Sequence, residues 1–334
     1  MLILMFPLTV LLLETPEESY LAITQLKDTS EIWYKDHKMC TNEFFLSIVT
    51  PTYNRGHLLS NCFYSLLHQT DLDFEWIIVD DGSSDNTSDV VSSFQTDMFP
   101  VVYLQKENGG KHTALNEAYS NIRGQYVLFL DSDDYLTEDA VAKVRQAWNY
   151  WNNYSDIAIV TFLKGPDKAD PNCTAPIANT PVDILRYKRR IIHSSDCCEV
   201  IRAEILKQYP FPVFEGERFL SECALWNRVA KTHKCVYINE VIYICEYLEG
   251  GLTQSGRSLR IRNPRGGMYI CNLRIGKNNY LLQRLKYSML YCCYGFFAKL
   301  SCRDMLSRTE HKIPATVCMV PGWALYRYWK RKYF

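Results

Sequence analysis

The chain has 334 residues, enough for one large domain or a domain with an appendage. Apolar residues make up 47% and charged residues 22%, a balance that excludes a disordered or fibrous chain. The 37 Lys/Arg offset the 37 Asp/Glu overall, yet residues 256–334 hold 16 basic and only 2 acidic residues.

Met1–Leu13 is almost wholly apolar but too short to span a bilayer. It lacks a basic leader region and a small-residue cleavage site, so it is a poor signal peptide. Residues 14–43 are polar without a period, and 1–43 is read as an N-terminal extension. The 13 cysteines show no CxxC spacing, and adjacent pairs such as Cys197-Cys198 and Cys292-Cys293 cannot readily bridge each other. Reduced thiols in a cytoplasmic protein are expected.

Order is expected from Phe44. Phe44–Thr50 is an apolar run of the kind that forms a buried parallel strand. Pro51-Thr52-Tyr53-Asn54-Arg55-Gly56 ends it, and Leu58 to Leu67 recur at helical spacing. Trp76–Val79 is a second strand, closed by Asp80-Asp81-Gly82-Ser83-Ser84-Asp85, which is rich in capping residues. Val101–Leu104 is a third strand. Asn108-Gly109-Gly110 leads into a helix over about Lys111–Ser120. Tyr126–Leu130 is a fourth strand that runs into Asp131-Ser132-Asp133-Asp134; a helix over about 137–150 and a fifth strand, Ile157–Leu163, follow. This alternation predicts an α/β fold with a mostly parallel sheet flanked by helices, whose ligands bind beyond the carboxyl ends of the strands.

Three such ends carry polar residues: Thr52 to Arg55, Asp80 with Asp81, and Asp131 to Asp134. Three carboxylates within four residues raise each other's pKa unless a cation neutralises them. Their hard oxygens suit Mg²⁺ or Mn²⁺, which typically keeps one or two carboxylates and takes phosphate oxygens as well. The same residues could instead cap the next helix or form a solvated turn. Asp80 and Asp81 could accept bonds from a base or ribose, or cap a helix. Tyr53 offers a flat face to a nucleobase, or ordinary packing. Arg55 and Lys111 could balance a diphosphate, or be surface cations. GxGxxG after the first strand and GxxxxGK[ST] are both absent, which removes the usual dinucleotide and P-loop readings.

Ser47–Arg55, Ile78–Asp85 and Leu130–Asp134, in that order, resemble the family 2 glycosyltransferases of the GT-A fold. Lys106–Lys111 and Ala114–Asn116 are also similar to the family between its second motif and its DxD, and the likeness covers about 44–250. The resemblance implies a metal-dependent, inverting transfer from a nucleoside-diphosphate sugar, UDP-linked above others. It would place Pro51, Thr52 and Tyr53 at the base, Asp80 and Asp81 at the uracil edge, and Arg55 and Lys111 near base or phosphate. It would place Asp131 and Ser132 by the ribose, with Asp133 and Asp131 at the metal; Asp134 is read as a helix cap. The family's general base comes from a downstream Glu-Asp pair. Here that stretch reads Glu222-Cys223, so Glu222 is the candidate base, with pairing to Arg228 or helix capping as its plainer role.

Residues 44–255 are thus read as the catalytic domain and 256–334 as a basic, aromatic-rich helical region. The glycine-punctuated stretch 247–253 resembles a loop that closes on a donor diphosphate. Aromatic and basic residues over 317–334 suit a membrane headgroup interface, with Pro321-Gly322 interrupting any long helix. The expected acceptor is a glycan or a lipid-linked acceptor, met at the inner face of the membrane. Nucleic acid is not an expected partner, since the basic tail belongs to no recognised nucleic-acid module. Two other readings compete. One is a donor-binding scaffold that has lost its base, because of Cys223. The other is a sugar-phosphate nucleotidyltransferase, whose Gly-rich basic signature is missing from Pro51–Arg55.

Overall fold

The computed structural model describes residues 43–183, 196–245, 252–276 and 280–334. The extension 1–42 and the expected loop at 247–251 lie outside the described residues.

The apolar runs form a nine-stranded sheet in the order β3-β2-β1-β4-β8-β6-β9-β5, with β7 also on β9. Its strands are β1 (Phe44–Thr52), β2 (Phe74–Asp80), β3 (Val101–Gln105), β4 (Gly124–Phe129), β5 (Tyr135–Leu136), β6 (Ile157–Gly165), β7 (Pro181–Val182), β8 (Cys197–Arg202) and β9 (Lys234–Ile244). Strands β1 to β4 pair in parallel. Strand β8 is inserted antiparallel between β4 and β6, so β6 and its parallel partner β9 again point the same way as β1. The carboxyl ends of β1, β2, β4, β6 and β9 therefore share one edge of the sheet.

Strands β2 and β6 are buried along their whole length, which is why their central stretches, Trp76–Val79 and Ile157–Leu163, read as largely apolar rather than alternating. One face packs on helices α1 (Gly56–Leu67) and α4 (Ala140–Trp151), around Trp76, Tyr126 and Trp148. The other packs on α3 (Lys111–Ala118) and α6 (Cys223–Val229), around Ile77, Leu115 and Trp226. Short helices α2 (Thr87–Ser92) and α5 (Ala203–Leu206) complete this part.

Six more helices follow: α7 (Leu252–Arg262), α8 (Pro264–Arg274), α9 (Leu281–Phe297), α10 (Cys302–Ser307), α11 (Lys312–Val317) and α12 (Met319–Tyr333). They enclose a separate apolar cluster of Met268, Cys271, Tyr291, Cys293, Met305 and Trp329. Helix α7 is kinked at Gly256, whose φ of +37° and ψ of -103° are not helical, beside position 255 where the sequence suggested a boundary. Pro321 does not interrupt the last helix. It sits in the first turn of α12, where a missing N–H leaves no intrahelical bond unmade, and the helix runs through. No helix among the described residues is long and apolar enough to cross a membrane. The 12 cysteines among the described residues are all free thiols.

Candidate active site

The chain turns sharply after β4. Leu130 N–H still bonds Val49 carbonyl at 2.9 Å, and Asp134 N–H then closes a turn onto Asp131 carbonyl at 3.1 Å. Two buried side chains hold this turn from below. The Cys62 thiol of α1 donates to Asp134 carbonyl at 3.0 Å, and Asp131 N–H donates to the Tyr243 hydroxyl of β9 at 2.8 Å. Asp134 is not a helix cap: the next helix begins at Ala140, six residues on, with Asp139 in the cap position. Asp134 is buried under the turn instead. Burial pushes its carboxyl up to about 7, and the neighbouring charge of Asp131 adds to the shift.

The other two carboxylates of the cluster face basic side chains. Arg55, just past β1, lies 2.7 Å from Asp133. Lys111, the first residue of α3, touches both Asp131 and Glu222, the latter at 2.7 Å. Burial alone would raise the Asp131 carboxyl; Lys111, Lys164 and Arg55 outweigh it and hold it below the usual carboxylate range. Burial likewise would lower the Lys111 ammonium, but Asp131 and Glu222 keep it well above its ordinary value. Glu222 occupies the position before α6 without a side-chain capping bond. It does not pair with Arg228, whose guanidinium donates to Pro210 carbonyl at 2.6 Å. Glu222 thus joins the strand-end cluster through Lys111.

Lys111 is placed by Gly110. That glycine has φ +94°, and a Cβ there would lie 1.8 Å from the Arg218 carbonyl oxygen. Only glycine lets the backbone enter α3 this way. Asp81 fixes the same loop. Its carboxylate accepts from Lys106 at 2.9 Å, Gly109 N–H at 2.9 Å and Gly110 N–H at 2.6 Å. Asp80, fully buried, accepts from the Tyr103 hydroxyl at 2.6 Å and from Ser83 N–H at 2.7 Å. Both carboxylates are therefore engaged in building the second strand end. Among the base-side residues, Tyr53 is 47% exposed, while Thr52 is buried with a hydroxyl that has no partner. Ser132 is buried within the turn.

One group at this edge escaped the sequence reading. Lys164, near the end of β6, is buried with its ammonium 3.9 Å from the centre of the Tyr243 ring. Burial would lower its pKa, but Asp196, Asp131 and Glu222 hold it well above normal. A small pocket lined by Phe129, Asp131, Lys164, Glu199, Glu222 and Trp226 joins it to the cluster. A charged residue closing an otherwise apolar strand was the available signal.

Among the described residues no three metal-ligating side chains converge. Asp131 and Asp133 offer a hard-oxygen pair, with side chains 28% and 19% exposed. That donor set fits a cation that completes its shell with phosphate oxygens and water, as Mg²⁺ and Mn²⁺ do.

The model of Glycosyl transferase family 2 matches residues 47–209, which begin in β1 and end beyond β8. Over that stretch, just under half of its length, the chain matches the family 2 glycosyltransferases. It is 27% identical over 226 residues to glycosyltransferase GlyG of Streptococcus pneumoniae, covering 63% of this chain and 73% of that protein. It is 32% identical over 170 residues to a poly(ribitol-phosphate) beta-glucosyltransferase of Bacillus spizizenii, covering 49% of this chain and only 26% of that protein. Among solved structures, S. aureus TarS 1–349 in complex with UDP-GlcNAc superposes with a TM-score of 0.56 at 20% identity, covering 83% of this chain and 79% of that one. That likeness shows the GT-A type of α/β fold.

Proposed function

We propose that this glycosyltransferase moves a sugar, with inversion, from a nucleoside-diphosphate sugar to a hydroxyl of a glycan or lipid-linked acceptor in surface-polysaccharide assembly. One observation carries the reading: Lys111 brings Glu222 and Asp131 into one crevice at the carboxyl edge of the sheet. A displacement needs a base on the acceptor side and charge stabilisation on the leaving-group side, close together. Here a carboxylate from α6 and the acidic turn after β4 meet across a single ammonium.

In this reading the nucleoside sits against Pro51, Thr52 and Tyr53. The orphaned hydroxyl of Thr52 supports a polar partner there, since a buried group left unpaired is costly. Asp80 and Asp81 shape the base side, and their bonds within the loop make them its scaffold as well as its candidate contacts. Asp131 and Ser132 lie toward the ribose. Asp133 and Asp131 would hold Mn²⁺ or Mg²⁺, which supplies Lewis-acid stabilisation of the departing diphosphate. Arg55 and Lys111 stand beside those carboxylates, positioned to turn their charge onto the same diphosphate. Glu222 takes the proton of the acceptor hydroxyl. UDP is the favoured donor nucleotide, as in the UDP-GlcNAc complex of TarS, the likeness reported above.

A thermal-shift series of nucleoside diphosphates and their sugars, with and without Mn²⁺, tests the donor site. Metal-dependent stabilisation by a uridine nucleotide is expected, because a ligand of the folded state raises its apparent stability. Glu222→Gln should keep that shift and lose transfer. Near-normal turnover by this variant would remove Glu222 from the mechanism.

A further inference from the structure

Helices α11 and α12 form one almost continuous rod. Cys318 N–H bonds Pro314 carbonyl at 3.1 Å and Gly322 N–H bonds Cys318 carbonyl at 2.8 Å, so helical pairing crosses the junction. At 1.5 Å per residue the rod is roughly 30 Å long. Its inward stripe is Ala315, Cys318, Gly322 and Trp329, all buried. It packs tightly on α9, where a Cβ at Gly322 would lie 2.5 Å from that of Cys292.

The opposite stripe faces out, and helical spacing predicts polar residues there. Its first half is apolar instead: Ile313 is 80% exposed, Val317 63% and Val320 75%. Trp323 and Tyr328 follow at the flanks, still 48% and 59% exposed. Then come Arg327, Lys330, Arg331 and Lys332, and no Asp or Glu occurs anywhere in 311–334. Along its length the outward face thus passes from an aliphatic half, edged by the exposed Lys312, through Trp323 to a cationic end that also carries Tyr328.

We infer that this face docks the enzyme onto an anionic lipid bilayer surface. Aliphatic side chains that gain nothing in water enter the acyl boundary, Trp323 and Tyr328 sit at headgroup depth, and the cationic end pairs with lipid phosphates. Charge complementarity selects the occupant: a run of cations without one carboxylate fits a uniformly anionic surface. A second copy of the same face would offer those cations no carboxylate partner. The rod lies on the surface rather than spanning it. It is tied to the crevice through α9, α8 and α6, whose first turn follows Glu222.

The test is co-sedimentation of the full chain with phosphatidylcholine vesicles, with and without phosphatidylglycerol. The chain should pellet with the anionic vesicles only. Val317→Glu with Val320→Glu, both on the exposed face, should weaken pelleting by roughly tenfold or more while thermal melting stays unchanged. Lys330→Glu with Arg331→Glu should weaken it too, and should flatten its dependence on salt. Three results would overturn the inference. The full chain could stay in the supernatant with both kinds of vesicle. The Val317/Val320 variant could pellet as the native chain does. Or that variant could change the oligomeric state in light scattering while vesicle binding stays intact, which would make the face an interface between copies.

Discussion

The Lys111 ammonium lies 2.7 Å from the Glu222 carboxylate and also contacts Asp131. Helix α3 thereby links the turn that follows β4 to the start of α6, although 91 residues separate Asp131 from Glu222 in the chain. A cation between two carboxylates couples them. Lys111→Gln should lower kcat by roughly 10²–10³-fold, the scale of removing one charge-stabilising donor. Combined with Glu222→Gln, the losses should fall well short of additive, because both changes disable one unit. Steady-state kinetics of the two single variants and the double variant measure this. Fully additive losses would mean that the two residues act independently.

Asp81 has three donors converging on one buried carboxylate. Asp81→Ala leaves the Lys106 ammonium and two backbone N–H groups without that partner. Removing one side of a buried pair costs about 3–5 kcal/mol, so a clear drop in denaturation midpoint is expected. Donor affinity should fall in parallel, since the same loop carries Gly110 and sets Lys111. A variant with unchanged stability and weakened donor binding would point instead to direct contact with the base as the residue's whole role.

Much of the sheet was legible because its central strands are buried on both faces. Trp76–Val79 and Ile157–Leu163 therefore show as largely apolar runs followed by a charged residue. The three polar strand ends could be found for the same reason: a cluster of polar residues directly after an apolar run stands out against it, even where those residues are buried. Strand β8 was not legible. Its insertion between β4 and β6 depends on pairing between remote segments, and Cys197 and Glu199 interrupt its apolar pattern. Lys164 was hidden as the tail of a strand, and Asp134 was misjudged because spacing alone cannot tell a cap from a carboxyl folded under its own turn. The partner of Glu222 lay beyond reach for a related reason: Arg228 is near in sequence, but Lys111 is near in space.

Lys164 gives a prediction about the geometry of the turn. Its ammonium rests over the ring of Tyr243, whose hydroxyl receives Asp131 N–H. Lys164→Met keeps the length of the side chain and removes the charge that helps hold Asp131 ionised. kcat should fall by about tenfold or more, and Lys164→Arg should recover part of it, a cation over the ring being the shared feature. Equal loss in both variants would reduce Lys164 to a packing role.

Asp139 sets an acid limit on stability. Burial would raise its carboxyl, but bonds from Thr137, Lys143 and Lys168 lower it to about 2. A carboxylate depressed on folding stabilises the fold above its unfolded value near 4 and loses that contribution as pH falls through about 2. Asp139→Asn should therefore narrow the difference in melting temperature between neutral pH and the acid limb. The effect should be modest, because the side chain is 35% exposed and its ion pairs are partly screened. Identical acid limbs in variant and native protein would show that the three bonds contribute nothing to folding.

Gly110 and Gly216 form a matched pair for separating strain from collision. Both have positive φ, +94° and +78°, so alanine is disfavoured at each on backbone grounds alone. A Cβ on Gly216 meets nothing within 4 Å, whereas one on Gly110 would stand 1.8 Å from the Arg218 carbonyl oxygen. Gly216→Ala should cost about 1 kcal/mol, the scale of backbone strain. Gly110→Ala must also push the loop off Arg218, and about 3 kcal/mol or more is expected. Because Lys111 follows directly, the displaced loop should also weaken the Lys111 contacts with Asp131 and Glu222. Chemical denaturation and transfer assays on both variants give the readout: Gly216→Ala slightly less stable with full activity, Gly110→Ala much less stable and nearly inactive even well below its melting temperature. Equal destabilisation of the two would show that the approach of Arg218 places no demand on position 110.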